Sequence, residues 1–180
     1  VELANKSEVY VVLAQIYGDS CEFVYVVKRE RRRNPALSCM TSSLQQEAAR
    51  KLHFRALKTM IIAQQLYERI KIGKEIVGLI TYMRTDSSRI ADSAVEEAKS
   101  FIETTYGNEF LATTKAVAKK TKSNTQDAHE SIRPTSVMRP PAAMKAYLTR
   151  DQLRLYKLIL ERLVESQMAP TFLETVRITI

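Results

Sequence analysis

A tyrosine and an arginine lie two residues apart in the segment GLITYMRTDSSRI, which spans Gly78 to Ile90. These two residues are Tyr82 and Arg84, and the apolar spacing around them fits neither a clean strand nor a clean helix. A phenol has a pKa of about 10, so it attacks phosphorus poorly unless cations or a base favour the phenolate. A planar guanidinium can donate to phosphate oxygens, where negative charge develops during such an attack. The pair therefore suggests cleavage of a phosphodiester through a phosphotyrosine ester.

Other common catalytic arrangements are missing from the sequence. It contains no G-x-S-x-G, no Walker glycine loop and no G-x-G-x-x-G, and its 4 glycines leave little for a nucleotide cradle. With 2 histidines, no H-E-x-x-H and no D-x-D, the sequence predicts that this chain itself binds no metal ion. Cys21 and Cys39 match no zinc spacing and fit a reducing compartment as inert thiols.

The charge of the chain favours a polyanionic partner. Lys and Arg number 28 against 20 Asp and Glu, a formal net charge of +8, which suits DNA or RNA better than a membrane surface. The run Lys28–Arg33 holds five basic residues in six and is interpreted either as a solvated loop or as a phosphate-contacting arm. Lys115, Lys119 and Lys120 fall in a long polar loop, 108–141, and are candidates for contacts with DNA phosphates. No apolar run approaches the roughly 20 residues that span a bilayer, so we expect no membrane partner.

Strand patterns stand at both ends of the chain. EVYVVLAQI and CEFVYVVK flank the turn cluster YGDS and predict a β-hairpin over the first 28 residues. The final FLETVRITI alternates, with Phe172, Val176, Ile178 and Ile180 on one face, and predicts a half-buried strand that returns to the sheet of the hairpin. The chain starts without Met and stops within this pattern, so we expect it to be part of a longer polypeptide.

Helical periodicity begins at Thr41. Ser43 and Gln46 predict a capping box that opens one helix, and a short turn at His53 separates it from a second helix through ALKTMIIAQQLYERI. The predicted apolar face of the second helix consists of Leu57, Met60, Ile61, Gln64, Leu66, Tyr67 and Ile70. Two helices joined by so short a connection resemble a helix-turn-helix.

Two further capping boxes predict the remaining helices. Ser93 with Glu96 opens a helix that stops at Gly107, and Thr149 with Gln152 opens a deeply buried helix that runs to about Met168. The predicted fold class is therefore α+β and predominantly helical, with helix-turn-helix-like elements inserted between β strands.

Four motifs, in order along the chain, resemble those of one enzyme family. GLITYMRTDSSRI resembles the active-site motif of the type IA DNA topoisomerases. TSSLQQEAARKL with ALKTMIIAQQLYE, then DAHESIRPT, then LYKLILERLVESQMAP, resemble three further segments of that family. The likeness covers about Thr41 to Pro170. Two departures are the entry loop NPALSCMTSS and Ser131, where alanine is usual in the family.

The resemblance implies a role for each matching residue. Tyr82 would be the nucleophile that forms a 5′-phosphotyrosyl link to one DNA strand, and Arg84 would hold the scissile phosphate. His129 would hydrogen-bond that phosphate, while Arg133 and Glu130 would be nearby DNA or scaffold contacts. Catalysis is thus expected of Tyr82 and Arg84, and phosphate binding of His129 and Arg133.

The resemblance also implies an organisation and partners. Residues 41–170 would form the helical domain that carries the tyrosine, and residues 1–40 and 171–180 would be strands of a β hinge or arch domain. The toprim domain, which supplies the Mg²⁺ ligands of the family, has no counterpart in this sequence, so the isolated chain is expected to bind no cofactor and to be inactive. Expected partners are single-stranded and negatively supercoiled DNA and the remaining domains of the same polypeptide, in the cytoplasm with the nucleoid, without a membrane or a small-molecule substrate.

Two other functions match parts of the sequence. A stand-alone helix-turn-helix module would bind duplex DNA without chemistry, and the tyrosine motif counts against it. A tyrosine recombinase expects its arginines and H-x-x-R before the tyrosine. Here Tyr82 precedes His129, and the spacing to Arg133 is H-x-x-x-R, which excludes that class.

Overall fold

The computed structural model describes residues 5–18, 25–112 and 129–179. The chain divides into two compact units, one of Val1–Arg33 with Phe172–Ile180 and one of Asn34–Thr171. Both helices and strands are present, and helices predominate, so the predicted α+β class is confirmed. In the ranges described, no helix is both long and apolar enough to cross a membrane.

The elements follow one another along the chain with short connections. In chain order they are α1 (Lys6–Gly18), β1 (Tyr25–Arg33), α2 (Thr41–Glu47) with a π-helical turn (Ala48–Leu52), α3 (Ala56–Glu68), β2 (Ile70–Ile72), β3 (Glu75–Val77), α4 (Asp92–Thr105), a 3₁₀ turn (Asn108–Phe110), α5 (Pro141–Met144), α6 (Arg150–Ser166) and β4 (Thr171–Thr179).

The predicted N-terminal hairpin is wrong in its first half, because EVYVVLAQI lies in helix α1. The side chain of Asn5 explains the difference. Its Oδ1 accepts the N–H of Glu8 at 3.0 Å, and its Nδ2 donates to the Glu8 carboxylate at 2.9 Å. Such a cap satisfies an N–H that the first turn leaves free, which favours a helix even where Val and Tyr favour a strand.

The strand β1 is longer than predicted and pairs with β4 in a two-stranded sheet. It contains the whole basic run Lys28–Arg33, so the prediction of a loop there is wrong. The return of the C-terminal strand to the N-terminal one is confirmed. The face of β4 that was predicted to be half-buried is at least half exposed at Phe172, Val176 and Ile178, because two strands alone cover little of each other's faces. Ile180 lies outside the described residues.

The N-cap of helix α2 lies three residues before the predicted one. Met40 occupies the N-cap position, and Ser43 is the third helical residue, where its hydroxyl accepts the Met40 N–H at 2.9 Å. The capping box of Ser43 with Gln46 is therefore wrong. The π-helical turn that follows ends at Leu52, and the next residue, His53, has a left-handed φ of 59°, so the predicted turn at His53 is confirmed.

The buried face of helix α3 agrees with the predicted one at Leu66, and at Met60, which is partly buried against the core, but it differs at other positions. Thr59, Ile62, Ala63 and Leu66 are buried, whereas Leu57 and Ile61 of the predicted face are 74% and 51% exposed. Thr59 can be buried because its hydroxyl donates to the carbonyl of Arg55 at 3.1 Å, one turn earlier. Because threonine is a polar residue, Thr59 was not included in the predicted apolar face, which was therefore placed too far towards Leu57 and Ile61. The helix also ends two residues before Ile70, which instead begins the unpredicted β2–β3 hairpin.

Helices α4 and α6 complete the core of the second unit. Ala91 caps α4, so the predicted box of Ser93 with Glu96 is wrong, but the stop at Gly107 is confirmed by its φ of 108°. At α6 the box of Thr149 with Gln152 is confirmed, with backbone-to-side-chain bonds of 3.0 and 3.3 Å. The predicted deep burial of α6 is also confirmed at Leu155, Tyr156, Leu158, Ile159, Leu160, Leu163, Val164 and Ser166.

Candidate active site

The segment Gly78–Ile90 is anchored on one side to the end of α3. The N–H of Leu79 donates to the carbonyl of Leu66 at 2.7 Å. Gly78 lies so close to the carbonyl oxygen of Tyr67 that a Cβ at this position would sit well inside 3.0 Å of it. Only glycine fits here without a backbone shift, so the GL of the motif sets the distance between α3 and the segment.

The opposite side of the segment is bonded to the chain around IRPT. Thr81 exchanges bonds with Arg133: the Thr81 N–H donates to the Arg133 carbonyl, and the Arg133 N–H donates to Thr81 Oγ1, both at 2.9 Å. Thr81 Oγ1 also donates to the carbonyl of Ser131 at 2.7 Å, and the Thr135 N–H donates to the Leu79 carbonyl at 2.9 Å. The residue directly before Tyr82 is therefore fixed by both its backbone and its side chain.

The residues after Tyr82 are fixed by the first residue of α2. Thr41 Oγ1 donates to the carbonyl of Met83 at 2.8 Å and accepts the N–H of Thr85 at 2.9 Å. The Thr41 N–H donates in turn to the Thr85 carbonyl at 2.9 Å. Tyr82 is thus held between two anchored threonines, 81 and 85, so little backbone freedom remains at the candidate nucleophile.

Burial alternates along this anchored stretch. Met83, Thr85 and Ser87 are buried, Arg84 is exposed, and Tyr82 is partly buried. No carboxylate in the described ranges forms an ion pair with Arg84. Its guanidinium is therefore at the surface and can meet an anion from outside the chain.

The ring of Tyr82 lies between two other rings. The Tyr67 ring meets it edge-on with centroids 5.6 Å apart, and the imidazole of His129 lies 5.0 Å from it. Aromatic contacts at these distances restrict the χ angles of a tyrosine. The structure therefore brings together Tyr82 and His129, which are 47 positions apart in the sequence.

Arg133 is held inside the protein. Its Nε donates to Glu130 Oε2 at 2.8 Å, its Nη1 donates to the Pro134 carbonyl at 3.1 Å, and its side chain is only 12% exposed. Glu130 Oε2 also accepts the N–H of Ala91 at 3.1 Å. The hydrogen bond from Arg133, against a smaller opposing effect of burial, holds the pKa of Glu130 below its usual value. This geometry favours the scaffold alternative for Arg133 over the direct DNA contact.

The other candidate residues contribute less here. Lys115, Lys119, Lys120 and Cys21 lie outside the described residues. Burial raises the pKa of Cys39 to about 11, so this thiol stays protonated at neutral pH. In the part of the chain that the structure describes, no group of three or more His, Cys, Asp or Glu is placed to hold a metal ion.

The sequence did not reveal three residues that organise this site. Thr41 and Thr81 act through backbone bonds to segments far away in the chain, and Tyr67 supplies a ring contact from the end of α3. The position of Thr81 beside the candidate nucleophile was the one available signal.

The fold and this site agree with one family of enzymes. A family model described as DNA topoisomerase matches residues 2–180. The chain therefore belongs to the type IA DNA topoisomerase family, and the predicted membership is confirmed.

Among solved structures, the chain is similar to the full-length topoisomerase I from Thermotoga maritima, with 38% sequence identity and a TM-score of 0.79. The match covers 93% of this chain and 26% of that one, so the chain spans about a quarter of its relative's length.

Proposed function

We propose that this chain is the tyrosine-bearing part of a longer bacterial-type topoisomerase I that relaxes negatively supercoiled DNA by cutting and resealing one strand. The observation that carries the proposal is the anchored position of Tyr82. Its ring contacts the ring of His129, and the exposed Arg84 follows it by two residues in the sequence. A fixed phenol beside a free guanidinium at a protein surface suits attack on a phosphodiester.

In the proposed reaction, the phenolic oxygen of Tyr82 attacks the phosphorus atom. The Tyr–O–P bond forms and the P–O3′ bond breaks, the phenolic proton leaves, and the departing 3′ oxygen gains a proton. Because one ester replaces another, the 3′-hydroxyl can later attack the phosphotyrosine and restore the strand. The proposed reaction therefore consumes no ATP.

Arg84 and His129 would act on the phosphate. The guanidinium of Arg84 offers two parallel N–H donors to the oxygens on which charge develops, and loss of one such donor costs about 3 kcal/mol of barrier in comparable sites. His129 would donate a hydrogen bond to the same phosphate. Glu130 and Arg133, through their ion pair, would hold the residues after His129 in place.

The metal requirement is assigned to another part of the longer enzyme, and further phosphate contacts are assigned to this chain. Magnesium would be bound in that other part, and when bound it would neutralise phosphate charge. Lys115, Lys119 and Lys120 would contact DNA phosphates along the same strand. Single-stranded regions of supercoiled DNA are the proposed substrate, and the cytoplasm, at the nucleoid, is the proposed location.

The test is relaxation of a negatively supercoiled plasmid by the longer enzyme. We expect Tyr82→Phe to abolish relaxation, whereas Tyr67→Phe, the same change on the neighbouring ring, leaves most of it. Arg84→Ala should slow relaxation by about a hundred-fold, and Arg89→Ala, on the same segment, by much less. Full activity of Tyr82→Phe contradicts the proposal.

Experiments on the isolated chain distinguish our proposal from the alternative of a stand-alone helix-turn-helix module. The alternative retains some support, because α2 and α3 are joined by a short turn at His53. That alternative expects duplex binding and no covalent product, even when the rest of the enzyme and magnesium are added in trans. Our proposal expects no cleavage by the chain alone and a DNA adduct once the missing part is added.

A further inference from the structure

The two-stranded sheet of β1 and β4 has one face rich in arginine. Successive side chains of a strand point to opposite faces, so Arg29, Arg31 and Arg33 share a face. A shallow groove of about 170 Å³ on the sheet is lined by Tyr25, Val27, Arg29, Thr175 and Arg177. We call the side that carries Arg29, Arg31, Arg33 and Arg177 the arginine face.

The two faces of this sheet differ in charge. The acidic residues of its strands, Glu30 and Glu174, occupy even-numbered positions on the other face, where Glu174 pairs with Lys28 at 3.5 Å. The arginines of the arginine face are exposed, and the ranges that the structure describes offer them no ion pair. Four cations that have no acidic partner among the described residues attract a polyanion, whereas the described charges of the opposite face are close to balanced.

We propose that the arginine face binds single-stranded DNA through residues that do not include Tyr82. Arginines at every second position are spaced about 6.7 Å apart along the strand, and their guanidiniums can each hold a phosphate through two N–H donors. Tyr25 is 48% exposed and lines the groove together with two of these arginines. An aromatic ring beside a row of cations is the arrangement on which unpaired bases stack while the backbone is held.

A single strand suits this surface better than a duplex or an acidic protein segment. In a duplex the base faces are stacked on each other, so Tyr25 would have no partner. In an acidic protein segment no planar ring is required, and the tyrosine would again contribute little. Stacking on Tyr25 therefore distinguishes the proposed ligand from the other polyanions.

The test measures binding of a fluorescent oligothymidylate to the 180-residue chain by anisotropy. The variant Arg29→Gln/Arg31→Gln is compared with Lys28→Gln/Arg32→Gln, which removes two charges from the other face of the same strand. Both lower the formal net charge from +8 to +6. We expect the first to weaken binding by about ten-fold or more and to flatten the log–log salt slope by about 1.4, and the second to change little. Equal losses of affinity in the two variants would mean that net charge alone determines binding, and this result would overturn the proposal.

A second matched pair of variants tests the contribution of base stacking on Tyr25. Tyr25→Ala should weaken binding of the oligothymidylate by about five-fold or more, whereas Phe172→Ala, which removes an exposed ring from the opposite face, should not. A duplex of the same length should bind more weakly and be insensitive to Tyr25→Ala. Tighter duplex binding, or identical effects of the two ring deletions, contradicts a single-stranded ligand. Circular dichroism spectra of all variants should match that of the wild-type chain.

This inference shares its ligand with the proposed function, but not its residues. If the arginine variants bind normally while Tyr82 still forms an adduct in the longer enzyme, only the arginine face is refuted. If Tyr82 forms no adduct but the arginine face behaves as described, the tyrosine chemistry is refuted and the binding surface stands.

Discussion

A single added methyl group at Gly78 tests how the site is held. A Cβ here would lie well inside 3.0 Å of the Tyr67 carbonyl oxygen, a distance that real Cβ contacts do not reach. The colliding atom belongs to the backbone at the end of α3, so it cannot rotate away as a side chain would. We therefore expect Gly78→Ala to separate α3 from the segment that carries Tyr82.

The expected change in the free energy of unfolding of Gly78→Ala is the sum of two losses and one gain. Overpacking of this kind costs about 1–3 kcal/mol, and loss of the 2.7 Å hydrogen bond from Leu79 to Leu66 costs about 1 kcal/mol more. The lower entropy of the unfolded alanine chain returns about 0.5–1 kcal/mol. The net expectation is a loss of about 1–3 kcal/mol in the free energy of unfolding. Because Tyr67 also contacts the Tyr82 ring, relaxation by the longer enzyme should fall as well.

Urea denaturation of the chain and plasmid relaxation by the longer enzyme measure the two effects, with Gly73→Ala as the control. Gly73 also requires glycine, through a φ of 62°, but an added Cβ would meet no atom within 4 Å. This control should lose about 1 kcal/mol of stability from backbone strain and keep normal relaxation. Wild-type stability and activity in Gly78→Ala would refute the close approach as the reason for glycine.

Three further changes test the surroundings of the site. Ser131→Ala should raise the free energy of unfolding by about 1 kcal/mol, because the buried hydroxyl oxygen of this serine has no hydrogen-bond partner; a loss measured in urea would contradict this. Ionised Glu130 stabilises the fold because its pKa is lower in the folded chain than the ordinary value of 4.5. This contribution is complete at pH values above 4.5 and disappears as the pH falls through the lowered pKa. Urea titrations between pH 3 and 7 should therefore show a smaller acid loss in Glu130→Gln, and unchanged pH profiles would count against the ion pair with Arg133. Thr149→Ala should lower the melting temperature by removing the cap of α6, at a cost of about 1 kcal/mol, whereas Thr149→Ser should retain most of the stability.

Some of the features that are decided within a few residues were predicted correctly, whereas the capping boxes of Ser43 and Ser93 were not. The box of Thr149 with Gln152 and the stop at Gly107 each follow from one or two side chains in a single turn. The left-handed turn at His53 is also local. The motif around Tyr82 was identified by its order of residues, which needs no knowledge of the fold.

Two local hydrogen bonds were missed, at Thr59 and at Asn5, and the anchoring of the site depends on contacts between distant parts of the chain. The buried face of α3 includes Thr59, whose hydroxyl is satisfied within its own helix, so hydropathy placed the face wrongly. Helix α1 forms where Val and Tyr favoured a strand, because Asn5 caps it. Thr41 and Thr81 bond to segments 44 and 52 positions away, and such pairs emerge only when the chain is folded.

The central claim is that Tyr82 becomes esterified to DNA, and peptide mapping of the trapped complex tests it most directly. The longer enzyme is mixed with a labelled single-stranded oligonucleotide and magnesium, denatured during turnover and digested with trypsin. We expect the 5′ phosphate of the cleaved strand on the peptide that contains Tyr82, and no adduct in Tyr82→Phe. An adduct on another residue, or an undiminished adduct in that variant, contradicts the account.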